Sequence, residues 1–263
     1  MRRLAAVVLL AAAGASPAAA RVFPGPGPPA PRTTSEIQTL LRLGLPVYCG
    51  GRHTHDIALT FDDGPGPYTA LVLHILHRSR VRATFFVVGK NIVGQPQLLP
   101  RELRAGGLGD HTWTHSFLPR LPPERVKAEL VRTRALIERV AHTRVLFFRP
   151  PYGAHSPRID RIAHRLGLIE VLWDVDSRDS EGAKWRAIAR NIATEIRPGS
   201  IVLMHENRGQ TVRALRFLVL PALRRRGLRP VSLRQLLTAD PPTLRQLREG
   251  ARGCFATAVT DGS

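Results

Sequence analysis

Short apolar runs alternate with longer amphipathic stretches along most of this chain. The runs at 57–61, 83–88, 108–111, 145–149, 169–175, 200–205 and 229–233 have the length and β-branched character of strands. Between them, apolar positions recur at helical spacing over 69–78, 97–105, 122–142, 156–166, 184–196 and 211–226. Boundary signals agree with that division. Ser156-Pro157 is a cap followed by proline in the first helical turn, and Pro122-Pro123-Glu124 opens another helix. Gly167, Gly199 and Gly227 fall at helix exits. Strand–helix alternation over some 180 residues predicts a parallel α/β architecture with no internal repeat.

The flanks read differently. Residues 1–20 form an expected secretory signal peptide: Met1-Arg2-Arg3 is basic, Leu4 to Ala13 is apolar, and Ala18-Ala19-Ala20 supplies a cleavage site before Arg21. That apolar stretch is too short to span a bilayer, and no other segment is long and apolar enough. Residues 21–48 form a Pro/Gly-rich linker and lead-in, 49–240 the α/β domain, and 241–263 a polar tail with a helix-like stretch at 244–249. Removing 20 of the 263 residues leaves 243, enough for one large single-core domain, an α/β barrel included. The only cysteines, Cys49 and Cys254, bracket that domain. In an exported chain an even pair reads first as a disulfide, here tying the start of the fold to its end.

The polar residues that interrupt this pattern cluster after strands. Thr60-Phe61-Asp62-Asp63-Gly64-Pro65 ends the first run with two adjacent carboxylates. About fifty residues later comes His111-Thr112-Trp113-Thr114-His115, with histidines at i and i+4. One carboxylate and two imidazoles suit a divalent ion such as zinc or cobalt, with a position left open for water. Asp63, His111 and His115 are therefore the expected metal ligands, and Asp62, left free, the base. Arg149 is placed to keep Asp62 ionised by a charge-assisted hydrogen bond. His205 ends the apolar run 201–204 and can donate a proton to a leaving group, with Asp179 raising its pKa. In Arg149-Pro150-Pro151-Tyr152-Gly153 a backbone N–H can face an oxyanion. In a parallel barrel all these strand ends share one face, the one that hosts active sites. No Gly-x-Ser-x-Gly elbow, catalytic cysteine motif or phosphate loop is present, which argues against a covalent acyl-enzyme. His53, His55, His74, His77, His142, His155 and His164 fit no partner spacing and read as surface or structural.

These residues, in this order, resemble the polysaccharide deacetylases of the NodB-like family, carbohydrate esterase family four. The resemblance covers roughly residues 53–235 through five blocks. The first is similar to Thr60-Phe61-Asp62-Asp63-Gly64, with Asp62 as base and Asp63 as ligand. The second is similar to His111-Thr112-Trp113-Thr114-His115, the histidine ligands with Trp113 beside the substrate. The third resembles Arg149-Pro150-Pro151-Tyr152-Gly153, with the Tyr152 N–H in the oxyanion hole. Asp176-Ser177-Arg178-Asp179 resembles the fourth block, whose last Asp tunes the acid. Leu203-Met204-His205 resembles the fifth, the acid His205 with Leu203 as apolar wall for the acetyl methyl. Two departures stand out. Ser180 occupies the place of the family's usual aromatic, and the segment 105–110 is about one residue short.

The resemblance implies a distorted (β/α) barrel of seven or eight strands, and a secreted or cell-wall-associated, metal-dependent enzyme. Its expected reaction is hydrolysis of N-acetyl groups on peptidoglycan or a chitin-type oligosaccharide. The rival readings are an O-acetyl xylan esterase and a non-catalytic basic wall-binding protein on the same scaffold. The formal charge is +19, or +17 without Arg2 and Arg3, and 36 of the 39 basic residues are arginine. That charge favours anionic cell-envelope polymers as surroundings. Nucleic acid is not an expected partner, since the arginines are scattered and no aromatic–basic interleaving occurs. A monomer is expected.

Overall fold

The computed structural model describes residues 34–255. The expected signal peptide and residues 21–33 of the expected linker lie outside them. The eight strands are β1 (Asp56–Gly64), β2 (Thr84–Val87), β3 (Leu108–Asp110), β4 (Phe147–Phe148), β5 (Ile169–Glu170), β6 (Val175–Asp176), β7 (Ile201–His205) and β8 (Arg229–Val231). Seven follow one another in the order β5-β4-β3-β2-β1-β7-β6, with β8 paired to the start of β1, and every pairing is parallel. The sheet curls into the expected distorted barrel.

Among the described residues twelve α-helices surround or plug it: α1 (Ser35–Leu43), α2 (Thr69–Ser79), α3 (Gly89–Gly94), α4 (Leu99–Ala105), α5 (Pro123–Ala141), α6 (Pro157–Arg165), α7 (Trp185–Glu195), α8 (Gly209–Ala214), α9 (Leu220–Arg225), α10 (Leu233–Ala239), α11 (Leu244–Glu249) and α12 (Ala251–Phe255). Strand alternation divides the core. Ile57, Leu59 and Phe61 of β1 join Phe85, Val202 and Met204 in the cluster that packs against α2, α5, α6 and α7. Ala58, Phe86, Phe147, Val171 and Ile201 form a second cluster with Ile37 and Leu40 of α1 and Leu233, Leu236 and Leu237 of α10. Helices α1 and α10 thus plug one end of the barrel, and Thr60 and Asp62, in phase with Ala58, project toward the other.

Several elements differ from the pattern-based expectation, α3 and α12 among them, which no helical spacing predicted. The run 169–175 is two strands: β5 pairs with β4, and β6 pairs with β7. Between them, Val47 N–H donates to Glu170 O and Leu172 N–H donates to Val47 O. The two ends of the sheet are joined by the chain itself, because no ladder connects β5 to β6. The run 229–233 stops at Val231, where Ser232 and Gln235 build a capping box that starts α10. The helix over 211–226 is interrupted by a π segment, Leu215–Val219. Pro221 lacks an N–H and its ring would clash with the carbonyl four residues back, which a wider turn relieves. Helix α1 lies within the segment read as linker and lead-in. Its Thr34 cap and Gly44 C-cap are present, but the proline-rich run before them dominates the pattern.

Cys49 and Cys254 form the expected disulfide, with Cα atoms 6.0 Å apart and a sequence separation of 205. Cys49 also bridges to Ser200 beside the barrel, so the bond fastens α12 to the sheet. No helix among the described residues is long and apolar enough to cross a membrane. Cross-linking so long a loop restricts the unfolded chain strongly. Reduction is expected to lower unfolding stability by about 2–5 kcal/mol. Urea titration with and without reductant measures this, and coincident curves would show that the bond contributes nothing.

Candidate active site and metal centre

Two adjacent residues of a regular strand point to opposite faces. Asp62 and Asp63 do not, because the register of β1 against β2 shifts between Asp62 and Gly64. Asp62 pairs with Phe86 and Gly64 with Val87, leaving Asp63 as the extra residue of a bulge at φ 70°. The bulge turns the second carboxylate toward the site that the first already faces.

Asp63 meets the two histidines there. Its Oδ1 lies 3.2 Å from His115 Nε2 and 3.7 Å from His111 Nε2. That oxygen is buried and accepts no hydrogen bond, while Oδ2 accepts one from Asn207 Nδ2 at 3.3 Å. His111 Nδ1 lies 2.8 Å from the Arg149 carbonyl oxygen. A carbonyl only accepts, so Nδ1 carries the proton and the Nε2 lone pair faces Asp63 and His115. Burial pushes His111 down to about 3, which keeps the ring neutral. An orphaned carboxylate oxygen and imidazole nitrogens converging within 4.8 Å fit a divalent ion.

The i, i+4 spacing brings the histidines together by a route other than a helix. Residues 111–117 form an irregular loop in which Thr112 and His115 adopt φ 67° and 56°. Asp110 Oδ1 accepts from Thr112 N–H at 2.7 Å, and Thr112 Oγ1 accepts from His115 N–H at 3.0 Å. Glu129 of α5 accepts from both the N–H and hydroxyl of Thr114. These side chains hold the left-handed backbone, and motif spacing alone did not point to Asp110 or Glu129.

Asp62 is buried behind this group. Its Oδ1 accepts from Arg149 Nη1 at 2.8 Å, and the same nitrogen donates to Thr60 Oγ1 at 2.8 Å. Burial pushes the Asp62 carboxyl up, against the opposing pull of Arg149 and His205. His205 stands directly across from Asp62 on the neighbouring strand. Its Nδ1 donates to Asp179 Oδ1 at 2.6 Å and its N–H to Asp179 Oδ2 at 2.7 Å. Thr211 also donates to Asp179 Oδ2, a contact the motifs did not indicate. Burial alone would lower the His205 pKa, but the bond to Asp179 and the nearby carboxylates outweigh it and raise it to about 9.

The remaining sequence candidates divide. Tyr152, at φ 63° and 67 % exposed, packs its ring edge-on to His115 with centroids 4.7 Å apart. Leu203 lies two residues before His205 on β7, on the same face, and belongs to neither hydrophobic cluster. Trp113 packs into the helix layer instead: its ring rests against Gly89, with the Arg132 guanidinium 3.6 Å from its centroid. Ser180 is exposed. The site therefore has a buried floor of Asp62, His111 and Arg149 and an exposed rim, a geometry open to a polymer.

Comparison with known proteins agrees with the geometry. The polysaccharide deacetylase family model matches residues 50–171. A chitooligosaccharide deacetylase from a Bradyrhizobium species is 38% identical over 200 residues, which cover 70% of this chain and 91% of that protein. A peptidoglycan-N-acetylglucosamine deacetylase from Bacillus cereus is 31% identical over 193 residues, 71% of this chain and 70% of the relative. A solved peptidoglycan N-acetylglucosamine deacetylase in complex with an N-oxidanyl-benzamide superposes with a TM-score of 0.70 at 29% identity, over 76% of this chain and 95% of that one.

Because His205 is raised from 6.5 to about 9, the stability it contributes is complete below pH 6.5 and is lost as pH rises through about 9. Asp179→Asn removes the charge responsible. The imidazole pKa, followed by NMR in the metal-free protein, is expected to fall to 6.5 or lower. An unchanged value would show that Asp179 does not set it.

Proposed function

This chain belongs to the polysaccharide deacetylase family, and from that premise we propose that it is a secreted or wall-associated, metal-dependent enzyme removing N-acetyl groups from peptidoglycan or a chitin-type oligosaccharide. One observation carries the reading. Asp62 and His205 face each other across adjacent strands beside the Asp63–His111–His115 group, and each is held by its own buried partner. A base and an acid on either side of a candidate metal centre are what amide hydrolysis requires.

Asp63, His111 and His115 would hold the ion, with zinc the best match to one carboxylate and two neutral imidazoles. When bound, it supplies Lewis-acid polarisation of the acetamide carbonyl and lowers the pKa of water. Asp62 Oδ2 takes the proton of the attacking water, while Arg149 on Oδ1 fixes the carboxylate's orientation. The Tyr152 N–H, presented by a left-handed turn at the rim, donates to the developing oxyanion. His205 carries its Nδ1 proton toward Asp179 and is left to donate from Nε2 to the departing amine. The C–N bond breaks, and acetate and the free amine result. Leu203 borders the acetyl methyl, and Ser180 leaves one wall of the groove lower than an aromatic would. Export is supported by the leader-like residues 1–20 and by the disulfide.

Asp62→Asn is expected to lower acetate release by about 10²–10⁴-fold, with bound metal unchanged by elemental analysis. Equal rates in the two proteins would remove Asp62 from the mechanism. Peptidoglycan, chitooligosaccharides and acetylxylan are assayed side by side, and release from acetylxylan alone would move the substrate to O-acetyl esters. Chelation is expected to abolish acetate release, and zinc or cobalt to restore it. Turnover that persists in fully metal-free protein would overturn the metal's role.

A further inference from the structure

His155 fits no motif spacing in the sequence, yet the fold gives it partners. It lies in the loop between the Pro151–Gly153 turn and α6, Asp160 is in the first turn of α6, and Glu170 is on β5. One ligand atom from each lies within 4.8 Å of the other two. His155 Nδ1 is 3.1 Å from Asp160 Oδ1 and 3.5 Å from Glu170 Oε1. The Glu170 side chain is 4% exposed, and neither of its oxygens receives a hydrogen bond from an N–H or O–H of the described chain. A carboxylate so deeply buried is costly unless a charge or a donor meets it. A single imidazole can balance only one of the two acids.

We propose that His155, Asp160 and Glu170 form a second divalent-cation site, separate from the Asp63–His111–His115 group. One imidazole nitrogen and two carboxylates suit zinc or manganese. The other ring nitrogen of His155 is already engaged, since the Tyr48 hydroxyl lies 3.1 Å from Nε2. An outer partner of that kind fixes ring orientation in metal sites. His155 and Asp160 remain partly exposed, which provides an approach path, while Glu170 closes the inner side. The three ligands join β5, α6 and the loop leaving the Tyr152 turn. The ion is structural: it fastens that turn to the barrel wall.

The alternative occupant is a proton shared between Asp160 and Glu170, which each offer a carboxylate oxygen within 4.8 Å of the other. Metal stoichiometry separates the two. Metal-free full-length protein is dialysed against zinc, and separately against manganese, and the bound metal is determined by elemental analysis. Two equivalents per chain are expected with at least one of the two metals, falling to one in Asp160→Asn/Glu170→Gln. A single equivalent with both metals in the unmodified chain would overturn the site and leave the shared proton in its place. The double variant Asp63→Ala/His115→Ala serves as a second reading. Once it is shown to be folded by circular dichroism, it is expected to retain one equivalent, and none would overturn the proposal. Two equivalents that persist in Asp160→Asn/Glu170→Gln would place the second ion elsewhere and overturn it equally.

Discussion

The structure turns on one buried cation. Arg149 is fully enclosed, and a guanidinium taken out of water is tolerated only when its donors are met. Its Nε donates to Val171 O, Nη1 to Thr60 Oγ1 and Asp62 Oδ1, and Nη2 to Leu172 O. Its own N–H donates to Asp110 O, and its carbonyl accepts from His111. The guanidinium carbon also lies 4.2 Å from the centroid of the Phe86 ring. The carbonyls of Val171 and Leu172 belong to the gap where β5 and β6 fail to pair. The residue that donates to the carbonyls of this gap is thus the one that holds Asp62 and orients His111. A lysine has neither the planar fork nor the reach to several acceptors at once, so the position demands arginine on geometric grounds.

Backbone strain gathers at the same place. Among the described residues, seven non-glycine positions have positive φ, and Asp63, Thr112, His115, Tyr152 and Arg178 all lie within or beside the chemistry-bearing segments. Each costs on the order of 1–3 kcal/mol and persists because its surroundings over-determine it. For Thr112 and His115 those surroundings are identifiable hydrogen bonds. They come from Asp110, whose carboxyl burial keeps well above its usual range, and from the Thr112 hydroxyl. Such positions confer geometry that a regular helix or strand cannot give, here a pair of histidines in a loop that both face Asp63.

Legibility from sequence followed the range of the forces involved. Strand and helix positions were readable because a single periodicity sets each one. The convergence of the candidate residues was readable because parallel topology collects strand ends on one face. Tertiary closure was not readable: the break between β5 and β6 depends on Val47 and Arg149, distant in sequence. Trp113 sits among motif residues, yet its ring lies against Gly89 and Arg132, which no local spacing indicates. His155 looked solitary for the same reason, since Asp160 is local but Glu170 reaches it only through the β4–β5 pairing.

The different settings of Asp62 and Asp63 follow from one inserted residue. In an unbulged strand the second carboxylate would face the helix layer, where Phe61 and Phe85 stack. An ionised group there would be buried without a partner, and the two imidazoles would lose the carboxylate they face. The bulge instead places both on the barrel's open end but at different depths. Asp62 stays in register opposite His205, deep enough for burial to press its carboxyl toward protonation and for Arg149 to resist. Asp63, displaced to the rim, keeps one oxygen free toward two imidazoles. Two chemically identical side chains therefore come to rest at different depths with different partners. A Cβ at Gly64 would meet the buried Glu206 carboxyl, so a larger residue there requires that side chain to move aside.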